Sequence, residues 1–350
     1  MKYKKYSCIS LLLLSGSLTP CSANLIPSGI EIPEDYVWTE NNISYFVVDE
    51  ELREAVVWGI APVEDVTTIP ECVEVPAKVI HDGLEYSIIG VENAAFGGAT
   101  VNLPSTIVMI GGDCFNQYRY GHANATFTFP ENLQQIGSDS FNKTGLTTIQ
   151  FSPRLKRIGD DSFCNNRELV TVEFDKTIRE IGANCFMSNV FMKEVYLPNS
   201  LYFIGDNFFN DCPSLEKVRL PRWLPFANYH ELVSPLRIFN WCPNIRVIEW
   251  DCEVPVEFPD SFSAVNKSAC TVIVPDGCKS VYEENNYWKD FIIVEKSEYQ
   301  ATVALPETDR NNDEAYYTLS GFRIPSPESL GKGEICFRVS KDGVTGFINR

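Results

Sequence analysis

An alternation of apolar and polar residues recurs along the middle of the chain with a period near 23 residues. Most periods contain a hexad with an aliphatic residue at its start, a small residue at its fifth position and a phenylalanine at its end, and the last two copies keep mainly the phenylalanine. The phenylalanines of the eight copies are Phe96, Phe115, Phe141, Phe163, Phe186, Phe209, Phe239 and Phe262. A period of this length is typical of a solenoid, in which each coil buries its apolar side against its neighbours.

A second element lies between successive hexads and usually ends at a proline, as in Val195-Tyr196-Leu197-Pro198 and Val218-Arg219-Leu220-Pro221. Its period-two alternation predicts a strand with one buried face. Proline ends such a strand because it has no N–H group to donate. We therefore expect one short strand per coil, with the hexad glycine permitting the tight turn that follows.

The two elements together resemble a known repeat. The pattern Leu-x-x-Val-x-Leu-Pro in Leu215 to Pro221, with the hexad Ile204 to Phe209, resembles the BspA-type leucine-rich repeat of secreted bacterial surface proteins. The resemblance covers roughly residues 88–295. It implies a β-rich leucine-rich-repeat solenoid of about eight coils with an N-terminal strand cap, a C-terminal cap and a small terminal β module. It also implies adhesion to host or neighbouring-cell proteins.

Five segments follow from these patterns. They are an export signal at 1–23, a strand-rich N-terminal cap at 24–87, the solenoid with its terminal cap at 88–295, a linker at 296–314, and a small β module at 315–350. In the last segment, three short strands are predicted between glycine turns. This module resembles the small C-terminal strand module of many exported bacterial proteins.

The N-terminus has the pattern of an export signal, since Lys2, Lys4 and Lys5 precede an apolar stretch, Ile9 to Leu14. Leu18 to Cys21 resembles a lipobox, which would make Cys21 the lipidated first residue of a protein anchored in the outer membrane at the cell surface. Alternatively, cleavage after residue 23 would release a soluble extracellular protein. Both routes predict export.

Composition and charge narrow the range of partners. Apolar residues make up 44% of the chain, enough for a large core, and the formal net charge is −18. Such a surface repels nucleic acid and anionic lipid headgroups, so neither is an expected partner. We expect a monomer that contacts a membrane only through a lipid anchor, and whose partner is an extracellular protein or a glycan.

The sequence shows no recognisable catalytic, metal or cofactor motif. The three histidines, His81, His122 and His230, lie outside any metal-ligand spacing, and no phosphate-binding glycine loop or nucleophile elbow occurs. We therefore predict a non-enzymatic protein without a metal or cofactor. A hydrolase with an unrecognised site is the alternative, and it would need His122 or His230 beside a carboxylate.

Two longer periods and two outward strand columns supply the candidate binding residues. Insertions in solenoids form loops, and aromatic and arginine side chains are common anchors there. The candidates are Tyr118, Arg119, Tyr120, Trp223 and Tyr229 in the insertions, and Glu173, Tyr196 and Arg219 on the strands. We predict that these residues recognise a protein. The alternative is glycan binding for an uptake system, in which Trp223 would stack on a sugar.

Two cysteines, Cys212 and Cys242, stand three residues after the phenylalanines of consecutive coils. Equivalent positions of adjacent coils lie about one strand spacing apart, within reach of a disulfide. Two stacked, buried thiols also fit the spacing and are the favoured interpretation, with a disulfide as the alternative.

Overall fold

The structure is a computed structural model that describes residues 37–60, 72–92, 96, 100–116, 127–222, 237–257, 260–303, 315–318, 323–324, 335–340 and 343–348. The chain divides into two compact units, Met1–Ile293 and Val294–Arg350. No helix in these ranges is long and apolar enough to span a bilayer.

The elements up to residue 295 are nearly all short strands. In chain order they are β1 (Val37–Glu40), β2 (Ile43–Asp49), β3 (Glu54–Ile60), β4 (Cys72–Glu74), β5 (Lys78–His81), β6 (Leu84–Val91), β7 (Thr100–Asn102), β8 (Met109–Ile110), β9 (Gln135–Ile136), β10 (Thr148–Gln150), β11 (Arg157–Ile158), β12 (Thr171–Glu173), β13 (Glu180–Ile181), β14 (Glu194–Tyr196), β15 (Phe203–Ile204), β16 (Lys217–Leu220), β17 (Val247–Trp250), a 3₁₀ helix (Lys267–Ala269), β18 (Thr271–Val274), α1 (Lys279–Glu284) and β19 (Ile292–Glu295).

An antiparallel meander opens the first unit and caps the solenoid. Strands β1, β2 and β3 pair in sequence, and β3 then pairs in parallel with β6. Two-residue turns join β1 to β2 at Asn41 and Asn42, and β5 to β6 at Asp82 and Gly83, all four with positive φ. Asparagine, aspartate and glycine are the residues that such hairpin turns favour, so the sequence dictates these turns locally.

Each of several coils supplies two strands, where the sequence predicted one. The additional strands are the two-residue segments β8, β9, β11, β13 and β15, which lie at the start of each hexad and pair in parallel. They continue the cap sheet through the β6–β8 pair. The prediction of one strand per coil was wrong because a two-residue segment is too short to display an alternation.

The strands predicted from the proline-ended pattern form a second ladder in three sheets, β4–β7, β10–β12 and β14–β16–β17–β18–β19. The pairing from β4 to β7, from β10 to β12 and from β14 through β18 is parallel and in register, so that Val195 aligns with Val218 and Val218 with Ile248. The ladder begins at β4, inside the range 24–87 that the sequence predicted as a cap.

A continuous column of phenylalanines fills the core between the two ladders. The eight hexad phenylalanines stack in order, with neighbouring ring centroids 5.0 to 5.7 Å apart. Each ring is 5% exposed or less. The predicted β-rich leucine-rich-repeat solenoid of about eight coils is confirmed.

The hexad glycines allow adjacent coils to approach closely, which corrects their predicted role. A Cβ atom on Gly159 would lie 2.5 Å from the backbone nitrogen of Ser138, and one on Gly182 would lie 2.5 Å from that of Asp160. Neither glycine has a positive φ. The left-handed turn residue is instead the fourth of the hexad, such as Asp161 or Asn184.

A column of polar side chains runs beside the phenylalanines and binds their carbonyl groups. Asn189 Nδ2 donates to the carbonyl oxygens of Phe163 and Phe186 at 3.1 and 2.6 Å. Cysteine replaces asparagine in the next two coils, where Cys212 Sγ lies 3.4 Å from the carbonyl oxygen of Phe186 and Cys242 Sγ lies 3.0 Å from that of Phe209. Both cysteines are buried free thiols in this structure.

Three large aromatic side chains close the C-terminal end of the solenoid. Trp250, Tyr282 and Trp288 are at most 1% exposed and contact one another. Each polar edge has a backbone acceptor: Tyr282 Oη donates to the carbonyl of Cys252 at 2.8 Å, and Trp288 Nε1 donates to that of Val256 at 2.9 Å. Buried aromatic groups of this kind need such partners, and here they cover the last coil.

The second unit contains one helix and a four-stranded antiparallel sheet. The helix α2 (Lys296–Val303) occupies the start of the range predicted as a linker. The strands are β20 (Ala315–Thr318), β21 (Arg323–Ile324), β22 (Ile335–Ser340) and β23 (Gly343–Ile348), in the order β21–β20–β22–β23. The first of the three predicted strands is divided into β20 and β21.

Candidate functional site

The outward side chains of β14, β16 and β17 form a flat surface that we call the strand face. The inward residues Val195, Val218 and Ile248 are fully buried, so the alternate residues face away from the core. Two columns result, in parallel register: Glu194, Lys217 and Val247 in one, and Tyr196, Arg219 and Glu249 in the other. Short, in-register strands thus hold these side chains about one strand spacing apart.

Aromatic and charged groups meet at the centre of the strand face. Tyr196 is 42% exposed, its hydroxyl donates to Glu194 Oε2 at 2.5 Å, and Lys217 Nζ lies 5.5 Å from its ring centroid. Arg219 reaches Glu249 at 3.6 Å and Asp251 at 3.5 Å. Exposed ion pairs contribute about 0 to 1 kcal/mol each to stability. A binding partner can therefore replace them with its own ion pairs at little cost in free energy.

The structure brings together some of the residues predicted for binding. Tyr196 and Arg219 are adjacent in register on β14 and β16, and Glu173 is exposed at the end of β12 in the same ladder. Tyr118, Arg119, Tyr120, Trp223 and Tyr229 lie outside the described residues, as do Cys21, His122 and His230. Ile273 follows Glu249 in the same column on β18 but is only 3% exposed, so the exposed column ends at β17.

On the opposite broad side, formed by the two-residue strands, several outward residues are buried. Gln135, Glu180 and Phe203 point outward from it but are 6 to 8% exposed. Arg157 pairs with Glu180 at 3.1 Å, and the hydroxyl of Tyr202 also donates to Glu180. Burial raises the pKa of Glu180, while the Arg157 charge opposes that shift. This side-chain network joins adjacent coils.

One exposed aromatic residue, Trp241, was missed by the sequence analysis. Two residues after each of five successive hexad phenylalanines, the chain turns through the left-handed region, with φ between 58° and 61°. The residues of this turn row are Lys143, Asn165, Ser188, Asp211 and Trp241. For a bulky residue this conformation costs about 1–2 kcal/mol. Aligning the coils from the hexads would have shown a tryptophan where the others have polar residues.

Metal-ligating groups and buried thiols among the described residues bear on whether the protein has catalytic chemistry. No group of three or more His, Cys, Asp and Glu side chains among them could hold a metal ion. Burial raises the pKa of Cys164 and Cys270 to about 12, and raises that of Cys185 and Cys212 well above the ordinary value. These thiols stay protonated and are poor nucleophiles.

Comparison with known proteins identifies the fold class of the chain and the type of repeat that it resembles. Residues 118–230 match, in six copies, the model of the BspA type leucine-rich repeat region. The molecule is therefore a leucine-rich-repeat solenoid. The match over residues 118–230 confirms the resemblance to the BspA type of repeat found in the sequence.

Several solved structures of bacterial leucine-rich-repeat proteins are similar to this chain. The pneumococcal vaccine antigen PcpA has a TM-score of 0.42 at 12% identity, with 74% of this chain and 98% of that chain covered. A leucine-rich cell surface protein from Faecalibacterium prausnitzii has 0.41 at 12%, covering 77% and 98%. A leucine-rich repeat protein from Bacteroides ovatus has a TM-score of 0.41 at 20% identity, with 74% of this chain and 67% of that chain covered. The search of curated proteins gives no match.

Proposed function

We propose that this protein is a non-catalytic binding protein of the bacterial cell envelope, and that its strand face recognises a protein on a host or neighbouring cell. The observation that carries the proposal is the placement of Tyr196 and Arg219 side by side on the rigid ladder. Tyrosine and arginine are enriched among residues that dominate binding energy in protein interfaces.

The rigidity of the ladder supports this role. Val195, Val218 and Ile248 anchor the strands from below, and their backbones are joined in parallel register. The loss of side-chain freedom on binding is small for Tyr196, because its hydroxyl and ring already contact Glu194 and Lys217. Preorganised side chains of this kind lower the entropic cost of association.

The charges of the strand face add specificity. Arg219 lies beside two acidic side chains, Glu249 and Asp251, and Arg222 pairs with Glu253 at 2.8 Å. The surface therefore presents neighbouring positive and negative groups within a protein whose net charge is −18. Such patterns select a partner by complementarity and affect mainly the association rate and its dependence on salt.

The test is binding of the exported chain to immobilised extracellular matrix proteins and to whole cells of neighbouring bacteria. We expect Tyr196→Ala and Arg219→Ala each to weaken capture at least about tenfold, the effect of a central interface residue. Thr171→Ala is the matched control, since Thr171 is an exposed residue of the same ladder on β12. Capture that both variants leave unchanged would contradict the proposal, as would the absence of binding to every protein and cell tested.

The proposed location depends on the first 23 residues. We propose export, followed by lipidation of Cys21 and display on the outer membrane, with release after residue 23 as the alternative route. Labelling of cells with a radioactive fatty acid tests this directly: the label should enter the wild-type chain and be lost in Cys21→Ala. A label that remains in the variant would refute the anchor.

A further inference from the structure

Trp241 is the most unusual exposed side chain of the described residues. It is a large apolar residue at the surface and is 67% exposed. Its φ is +60°, in the left-handed region where a bulky residue is an outlier. A strained, exposed aromatic residue that the core does not need is a reason to look for a ligand.

The backbone holds the indole in one place. The N–H group of Asp211 donates to the carbonyl of Asn240 at 2.9 Å, which fixes the turn of Trp241 against the preceding coil. On the other side of Trp241, the buried Cys242 thiol lies 3.0 Å from the carbonyl oxygen of Phe209. Both neighbours of Trp241 along the chain are therefore tied to the core, and the ring is presented on a fixed support.

The residues at the equivalent positions of the adjacent coils are short. Asp211 precedes Trp241 in the turn row, and Ala264 stands two residues after the next hexad phenylalanine. Neither side chain is long enough to cover an indole ring. The face of the ring thus stays open to a planar or slightly puckered ligand.

Small hydrogen-bonding groups occupy the positions next to Trp241 along the chain and in the adjacent coils. Asp211 accepts a hydrogen bond from Ser188 Oγ at 3.0 Å, and Ser263 Oγ and Asn240 Oδ1 are 3.2 Å apart. A protein interface has a cluster of apolar side chains at its centre, whereas here a single aromatic plane is bordered by a carboxylate, an amide and hydroxyl groups. This combination fits a sugar, whose C–H face packs on the electron-rich ring face and whose hydroxyl groups need such partners.

We propose that Trp241 and its polar neighbours on the turn row form a glycan-binding site, in which a pyranose ring stacks on the indole and its hydroxyl groups hydrogen-bond with Asp211 and Asn240. The site lies on the turn row and is distinct from the strand face. A failure of this proposal would therefore not affect the proposed protein recognition by Tyr196 and Arg219, and the reverse also holds.

Affinity electrophoresis of the exported chain tests the proposal, in gels that contain xylan, laminarin, galactomannan or gastric mucin. We expect at least one of these polymers to retard the wild-type chain. In that gel Trp241→Asn should lose at least about tenfold in affinity, while Trp241→Phe, which keeps an aromatic face, should retain part of it. Phe191→Ser is the matched control, because Phe191 is another exposed aromatic residue but is not a left-handed one.

A second arm distinguishes sugar from protein, using mucin that has been oxidised with periodate or digested with protease. Binding should disappear after periodate, which cleaves vicinal diols, and survive protease digestion. The opposite result would show that the turn row binds protein and would overturn the proposal. So would retardation that Trp241→Asn leaves unchanged, or the absence of retardation by all four polymers. Trp241→Asn should fold, because Asn165 already occupies the same turn position.

Discussion

Replacement of Gly182 by alanine tests which role the hexad glycine has: allowing adjacent coils to stack closely, or giving a turn its flexibility. A Cβ atom at this position would lie 2.5 Å from the backbone nitrogen of Asp160 and 2.6 Å from the carbonyl carbon of Gly159. Ordinary contacts of carbon need about 3.5 Å, so the coils would have to separate by about 1 Å. Overpacking of this kind costs about 1–3 kcal/mol.

The separation would also weaken two hydrogen bonds between the coils. Gly182 N–H donates to the carbonyl of Ile158 at 2.9 Å, and Ala183 N–H donates to Asp160 Oδ1 at 2.7 Å. With about 1 kcal/mol for the weakening of these bonds, we expect Gly182→Ala to lower the free energy of unfolding by about 2–4 kcal/mol. Turn flexibility alone predicts the opposite sign, since alanine at a φ that is not positive stabilises a protein by about 0.4–1 kcal/mol.

Urea denaturation followed by circular dichroism measures the difference. Gly59→Ala is the matched control, because a Cβ atom on Gly59 in β3 would meet no atom within 4 Å and its φ is not positive. We expect the control to unfold at the same urea concentration as the wild type or slightly higher. A Gly182→Ala variant as stable as the wild type would show that the coils do not depend on this close approach.

Three further substitutions test the core and the ionisable groups. Phe163→Ala removes a fully buried ring stacked between Phe141 and Phe186, and should cost about 3–5 kcal/mol in a thermal or urea unfolding experiment; a cost below 1 kcal/mol would contradict the continuous column. Burial, and then the charge of a neighbouring aspartate, raise the pKa of Asp161, so its ionised form opposes folding. Asp161→Asn should therefore stabilise the protein by about 0.5 kcal/mol at pH 7, a small value because the site is half exposed to water. The gain should vanish as the pH falls through the raised pKa and the wild-type carboxyl group protonates; a gain that persists below pH 4 would show a different cause. Arg157→Ala leaves Glu180 buried without its cation and should cost about 2 kcal/mol at pH 7. That loss should shrink at lower pH, where protonation removes the buried charge, and equal losses at pH 5 and pH 8 would refute the ion pair's role.

The repeating parts of the fold could be predicted from the sequence because their determinants are local. The phenylalanine column follows from the period, and the outward columns through Tyr196 and Arg219 follow from the alternation. The two-residue strands could not be predicted, because their pairing depends on the stacking of coils and not on any pattern within them. The repeat also locates Gly182 at the second position of its hexad. Its close approach to Asp160 could not be predicted, because that contact too depends on how the coils stack.

The candidate site was only partly predictable, since recognition residues are by nature those that the fold does not require. The sequence indicated Tyr196 and Arg219 because the charge of the strand columns changes there. It did not indicate Trp241, since a tryptophan in a turn has no preferred pattern. The left-handed φ shared with Asn165 and Asp211, like an alignment of the coils from their hexads, shows that the fold would accept a smaller residue at this position.

The way the coils are held together explains why function must be sought in departures from the repeat. Backbone hydrogen bonds in register and the buried column of rings join each coil to the next, and neither depends on which side chain points outward. Glu194, Lys217 and Val247 occupy the same column although their charges differ, because the ladder imposes no demand on them. Outward positions are thus free to change without loss of the fold. An exposed residue that is costly to keep, such as Trp241 with its left-handed φ, is for the same reason a place to look for contacts with a ligand.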